Sequence, residues 1–563
     1  MKKQTLLIGL IAMAILTACN NSLPNPEQIS VNPSPLTVVG DKVNADITGT
    51  FPAKKFAKKG VLTVTPVLKY DGKEVLGSPV TYVGEKAKEN GTTVNYKEGG
   101  RYHQSASFAY DGKMDKNTNL YLRFAGKVGN KEVEIPDLLI AEGMNTTAKH
   151  IDAKDNKGAI TPDKFQRVIQ QMQEADILFL IQQATLRNSE TNSQAMKDLQ
   201  AAIKEANDNE KKAINRLQVA GYASPDGGVQ LNEKLAQRRQ EVSERFLKNN
   251  LKKNKINAAV DNEITAEDWE GFRKAIENSN IQDKELILRV LSMYTDPEER
   301  EAQIKNIAAA YKVIADEILP ALRRSRLILT TDLIGKSDDE IRNLAQNDAK
   351  ALNVEELLYA ATLTNQPNEK LAIYKKVTEI YPNDYRGYNN MGILYMQQGN
   401  VAEARRCYSK ALSIDSNNAD VNYNAGVAAM ADGDLAKAEE YLGKAAGTTG
   451  NLNAAMGTLY TMKGDYKKAK AAYGNAATNN AALQQILSED YAAAKKTLDA
   501  IQEPNATTDY LKAIVGARTN KKADVIANLK NAIAKDASMK AKALNDVEFA
   551  KYAEDSEFIA IVK

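Results

Sequence analysis

The spacing of apolar positions changes character twice along the chain. Between residues 36 and 145 apolar and polar residues alternate, as in VLTVTPVLKY, SASFAY and LYLRFAGKVG. Asp71-Gly72, Asp111-Gly112 and Gly129-Asn130 punctuate these runs, and Asp-Gly between alternating segments is hairpin chemistry. The pattern predicts a β-sandwich over 36–145. From 163 to 335 strand-like and helix-like spacings take turns. A strand is expected to start in ADILFLIQQATLR, a helix in TNSQAMKDLQAAIKEAN, a strand at INRLQVAGY, and a helix from Leu235 through EVSERFLKNN. A further strand is expected at KINAAV, then helical segments at about 265–278, 282–294 and 296–319, and a closing strand at RRSRLILTTDL. This order predicts an α+β domain, its sheet layered on helices, with a helical insertion at 265–319.

From 344 to 563 the spacing is helical throughout, and it repeats. Gly392, Ala404, Tyr408 and Ala411 recur 34 residues on as Gly426, Ala438, Leu442 and Ala445, and 31 further on as Gly457, Ala469, Tyr473 and Ala476. Small residues recur where two helices must approach, with a large one to fill the gap. This resembles the tetratricopeptide repeat (TPR), and it predicts an α-helical solenoid with a C-terminal cap at NDVEFAKYAEDSEFIAIV.

The N-terminus is a processing segment. Lys2 and Lys3 precede an apolar run from Leu6 to Leu16, too short to span a bilayer, and then LTAC. LTAC resembles a bacterial lipobox, which implies removal of the signal peptide (1–19) up to Cys19 and lipidation of that cysteine. Residues 20–35 are then a polar, proline-containing tether. The acyl chains are the expected membrane attachment. NNSLPN follows the cysteine without an acidic residue, which leans toward a periplasm-facing protein of the outer membrane.

Charge narrows the partners. The chain carries 75 basic and 72 acidic residues, a net charge of +3, which gives no reason to expect nucleic acid. With Cys19 lipidated, Cys407 has no disulfide partner, and with no histidine in its region it is a poor nucleophile. His103 and His150, the two histidines of the chain, read as structural or solvated. No metal-ligand cluster, phosphate loop or nucleophile–histidine pair is legible in the sequence, so neither a catalytic residue nor a cofactor is expected.

The most informative stretch is GYASPDGGVQLNEKLAQRR, Gly221 to Arg239. ASPDGG is turn chemistry, and helical spacing then puts Arg239 on the same face as Leu235, Val242 and Phe246. A guanidinium on a core-facing stripe needs a partner. That partner is a carboxylate of the protein, such as Asp226, or one belonging to a ligand. ILFLIQQATLR, LQVAGYASPDGGVQLNEKLAQRRQEVSERFL and RRSRLIL are similar in order and spacing to the OmpA-like peptidoglycan-associated domain. In that family a loop aspartate and a helix arginine hold the zwitterion of diaminopimelate in the stem peptide. The resemblance implies peptidoglycan-binding positions at Ser224, Asn232 and Arg239, with Gly221, Gly227 and Leu235 shaping the loop. The family aspartate falls on Ser224, a neutral hydroxyl, and the family's serine on Ala236. Asp226 either supplies the missing charge or belongs to a plain Asp-Gly turn. Trp269, in the insertion, reads as core.

In the repeats Asn390 and Asn424 are related by the period and face the groove. Without basic residues in NLNAAMGTLYTM they do not form a carboxylate clamp, and they are expected to solvate a groove that takes protein partners. The expectation is a non-enzymatic envelope lipoprotein that links outer membrane to peptidoglycan and recruits proteins. The alternative is a scaffold lipoprotein that binds only proteins.

Overall fold

The computed structural model describes residues 23–281 and 283–563. The expected signal segment, with Cys19, lies outside the described residues. The chain divides into two compact units, Met1–Pro162 with Thr364–Lys563, and Asp163–Leu363.

The first unit opens with two β-sheets, of five and seven strands. Their inward positions form one core, in which Val43 and Ile47 of one sheet and Leu62 and Val64 of the other are fully buried. Burying each such side chain contributes ~1.5–3 kcal/mol. Asp71-Gly72 makes a two-residue hairpin with both φ angles positive, 45° and 72°, closing Gly60–Tyr70 onto Lys73–Leu76. Asp111-Gly112 does not make a hairpin. The strands on either side of it, Gly100–Ala109 and Asn119–Val128, pair in different sheets, so this turn carries the chain across the core. The expected tether also differs. Glu27–Asn32 is a strand paired with Lys42–Phe51, and its Ile29 and Val31 pack on the core. Its alternation was hidden by the prolines around it.

The second unit holds a four-stranded sheet in the order Val168–Leu178, Arg324–Ile334, Lys212–Tyr222, Val260–Thr265. The first strand begins seven residues before the expected apolar run. It is an edge strand with its first five residues exposed, so Gln170 and Gln171 carry no burial signal. The strand expected at KINAAV lies later, at Val260–Thr265, parallel to Lys212–Tyr222. Helices Gln194–Asp208 and Val229–Lys253 pack on the sheet, and short helices from Trp269 to Leu322 form a separate apolar cluster around Phe272, Ile287 and Ile314. Residues 344–363, including helix Val354–Ala360, expected to open the solenoid, belong to this unit instead, together with helix Asp338–Asn347. Arg167 pairs with Asp338, and Phe165 stacks on Tyr359 at 4.5 Å.

The remaining helices, from Pro367–Ile380 onward, stack as antiparallel pairs. The recurring glycines are explained by contact. A Cβ on Gly392 would stand 2.6 Å from the Tyr408 ring, one on Gly426 2.7 Å from Leu442, and one on Gly457 2.6 Å from the Tyr473 ring. Gly399, Gly433 and Gly464 turn one helix into the next with φ between 77° and 81°.

Candidate functional site

The structure places the sequence candidates at two sites, one in each unit, and each is occupied by the protein itself. In the second unit Gly221 ends a strand against which helix Val229–Lys253 runs very closely. A Cβ there would meet the Ala236 carbonyl at 2.1 Å. That approach buries Arg239 to 1% exposure. Its guanidinium donates to three backbone carbonyls: Tyr222 at 2.8 Å, Gln183 at 3.0 Å and Leu180 at 3.5 Å. It also lies 5.5 Å from the Phe179 ring. Burial, and then the neighbouring Arg323, push its pKa down to about 10, against the opposing pull of Asp226, so it remains charged at neutral pH.

Asp226 does not pair with Arg239. Its carboxylate accepts from Arg323 at 3.0 Å and from the Ser224 hydroxyl, which itself accepts from Arg323 Nε at 3.2 Å. Asn232 donates to the Gly227 carbonyl at 2.8 Å and so fastens the loop to its own helix. Beside this cluster Arg324 pairs with Asp268 at 2.7 Å and lies 4.5 Å from the Tyr222 ring. Asp268 also caps the helix that begins at Trp269. Pro225 and Asp226 face Trp269, Phe272, Ile304, Ile314 and Leu319 across a cavity of only ≈ 10 Å³. That is about the least space that admits one water. Arg323, Arg324 and Asp268 escaped the sequence reading, although the Arg-Arg doublet at the head of a strand was a signal of buried pairing.

In the first unit the inner helices of the repeats form a groove, and residues 146–162 of the chain run through it. Three asparagines each grip one residue of this strap by both backbone groups. Asn390 accepts from Thr161 N at 3.0 Å and donates to Thr161 O at 2.9 Å. Asn424 does the same to Ala159, both at 2.8 Å, and Asn480 to Asp152 at 3.1 and 2.7 Å. Asn389 donates to Ala159 O at 3.0 Å and Tyr423 to Lys157 O at 3.1 Å, while Asn156 of the strap donates to Thr458 at 3.2 Å. The expectation that Asn390 and Asn424 solvate the groove is corrected here. Both are buried, and they hold extended backbone as a neighbouring β-strand would.

The strap begins at a buried ionic knot. Glu548 accepts from Asn145 at 2.9 Å, Thr147 at 2.6 Å and Arg518 at 2.7 Å. His150 lies 4.9 Å from the Tyr510 ring, its Nδ1 accepts from Lys542 at 3.0 Å, and its Nε2 faces Asp546 at 3.9 Å. Burial holds the His150 pKa below its ordinary 6.5, with Lys542 acting in the same direction against Asp546 and Glu548. The folded protein therefore favours neutral His150. The stability this contributes is present above pH 6.5 and is lost as the pH falls below it. Thermal melts of the wild type should fall more steeply below pH 6.5 than those of His150→Gln, and parallel profiles would refute the assignment.

A family model described as TPR repeat matches residues 394–433, and one described as tetratricopeptide repeat matches 373–406. The C-terminal helices form tetratricopeptide repeats. No curated protein matches the chain. Among solved structures, a tetratricopeptide repeat protein from Parabacteroides merdae is similar at 15% identity, over 36% of this chain and 88% of its own, with a TM-score of 0.31. Pseudomonas aeruginosa pilF is similar at 17% identity, over 40% and 98%, with a TM-score of 0.26. YrrB, a TPR protein described as having an unusual peptide-binding site, is similar at 18% identity, over 37% and 98%, with a TM-score of 0.23. Neither matched family model is a catalytic one, and among the described residues no group of three or more His, Cys, Asp or Glu could hold a metal.

Proposed function

We propose that this protein is a non-enzymatic, lipid-anchored scaffold of the bacterial cell envelope that works by binding proteins. The observation that carries this reading is the tetratricopeptide array, whose groove is built from asparagines that recognise extended peptide backbone. The central domain is read as OmpA-like, with its ligand loop turned inward. Arg239 is committed to backbone carbonyls and Asp226 to Arg323, so a diaminopimelate zwitterion meets no free charge at these positions. This favours the scaffold over a peptidoglycan linker. The full chain should stay in the supernatant when peptidoglycan sacculi are pelleted, and co-sedimentation would restore the linker reading. Photo-crosslinkers at exposed repeat positions should trap envelope proteins in cells, and their failure at every position would overturn the scaffold.

The lipid anchor rests on LTAC following a short apolar run, and its periplasm-facing orientation on NNSLPN, which follows without an acidic residue. Cys19→Ala should move the protein from the membrane fraction to the soluble fraction, or leave the precursor unprocessed. Normal processing with unchanged partition would rule the anchor out.

A further inference from the structure

We propose that residues 151–162 are a displaceable internal ligand, and that the repeat groove they fill accepts a peptide of the same chemistry from a partner. This rests on the scaffold reading and specifies the partner segment. The groove recognises backbone. It takes both polar groups of two residues spaced two apart, Ala159 and Thr161, and of a third seven residues earlier, Asp152. Side-chain demands are few. Position 158 must lack a Cβ, which would stand 2.9 Å from Ile393 Cγ1 and Cγ2. Positions 153 and 159 must be small, because both alanines are buried in the groove's core cluster. Asn156 meets Thr458, and the Thr161 hydroxyl donates to Asn390 at 3.1 Å. Lys154, Lys157 and Ile160 are exposed and leave their positions unspecified. The ligand class is thus a segment of the form small–x–x–Asn–x–Gly–small–x–Thr, with a single 3-10 turn over its first three positions, Ala153–Asp155 in the strap, running from the later repeats toward the earlier ones.

The same contacts explain why the strap is displaceable. Its wholly buried apolar side chains between 151 and 162 are two alanines, while Ile160 stays 57% exposed. Docking therefore rests on hydrogen bonds, which largely exchange for bonds to water, against the entropy of ordering the segment. The strap's advantage over a partner is its high effective concentration rather than apolar burial.

The test separates strap from groove. Gly158→Val bars the strap from its seat and leaves the groove unchanged. A fluorescent peptide with the sequence of residues 150–162 should bind the full-length Gly158→Val chain at least tenfold more tightly than the wild type. Adding Asn424→Ala should reverse that gain. A folded Gly158→Val chain that binds the peptide no better than wild type, or a gain indifferent to Asn424→Ala, would overturn the proposal. Hydrogen exchange on the wild type decides independently of how the variant folds. The Ala159 and Thr161 amides should exchange at least a hundredfold faster than core amides of helix Ala419–Ala431, and exchange only by global unfolding would overturn the proposal. A negative result here leaves photo-crosslinking on other repeat surfaces as the separate test of the scaffold.

Discussion

Arg239→Ala should unfold or severely destabilise the central unit, by ~3–5 kcal/mol, the cost typical of stranding buried charged or hydrogen-bonding groups. The loss has two sources. Removal of the guanidinium leaves the carbonyls of Leu180, Gln183 and Tyr222 without their donor, and it empties a buried space beside the Phe179 ring. Arg239→Lys should not rescue it, since a single ammonium cannot spread over three carbonyls held by a planar fork. Asp226→Asn should cost less, because Asp226 is at the rim and Arg323 keeps its bond to Ser224. Ser224→Asp would add a second carboxylate beside Asp226 at a site 4% exposed, and should destabilise rather than create a ligand site. Denaturant unfolding of these variants checks the order. An Arg239→Ala protein as stable as wild type would show that the arginine is held for a ligand.

What the sequence disclosed about Arg239 was its need for a partner, and what it concealed was the partner's kind. Periodicity fixes the face a side chain occupies, but backbone carbonyls are present everywhere and leave no letter in the sequence. Reasoning from charge therefore looked for a carboxylate and found Asp226, whose real partner, Arg323, lies about a hundred positions away at the start of another strand. The repeats were legible for the opposite reason. Gly392, Gly426 and Gly457 each face a large residue of the paired helix, so sterics write the period into the chain. The signal fades after residue 480 because the left-handed turn position passes from glycine to Glu489 and Asn520, with φ of 61° and 57°. The edge strand Val168–Leu178 was half hidden because exposed positions carry no apolar pattern. The strap was wholly invisible. Residues 146–162 have the composition of a linker, and nothing in a polar linker tells where it will lie.

Replacing Asn390, Asn424 and Asn480 together by alanine should release the strap. Each asparagine makes two bonds to the backbone of one strap residue, and each bond contributes ~1 kcal/mol net. Asn480 shares only Thr458 with its neighbours, so Asn480→Ala alone should weaken the Asp152 end by ~2 kcal/mol. Asn390 and Asn424 are coupled through Asn389, which donates to Asn390 at 3.2 Å and accepts from Asn424 at 2.8 Å, so their losses should not add. The triple variant should still lose several kcal/mol of docking free energy, enough to turn a bound strap into a mostly free one. Trypsin reads this directly. Lys154 and Lys157 are exposed in the docked strap, yet a protease needs several residues of chain freed from their contacts before it can cut. Cleavage after these two lysines, followed by mass spectrometry, should accelerate at least tenfold in the triple variant. The helices should keep their circular dichroism, because the exchanged side chains face the groove and Gly426, Tyr408 and Leu442 still pack each pair. Equal cleavage rates in wild type and variant would mean that the asparagines do not hold the strap, and the backbone-reading groove would then lose its physical basis.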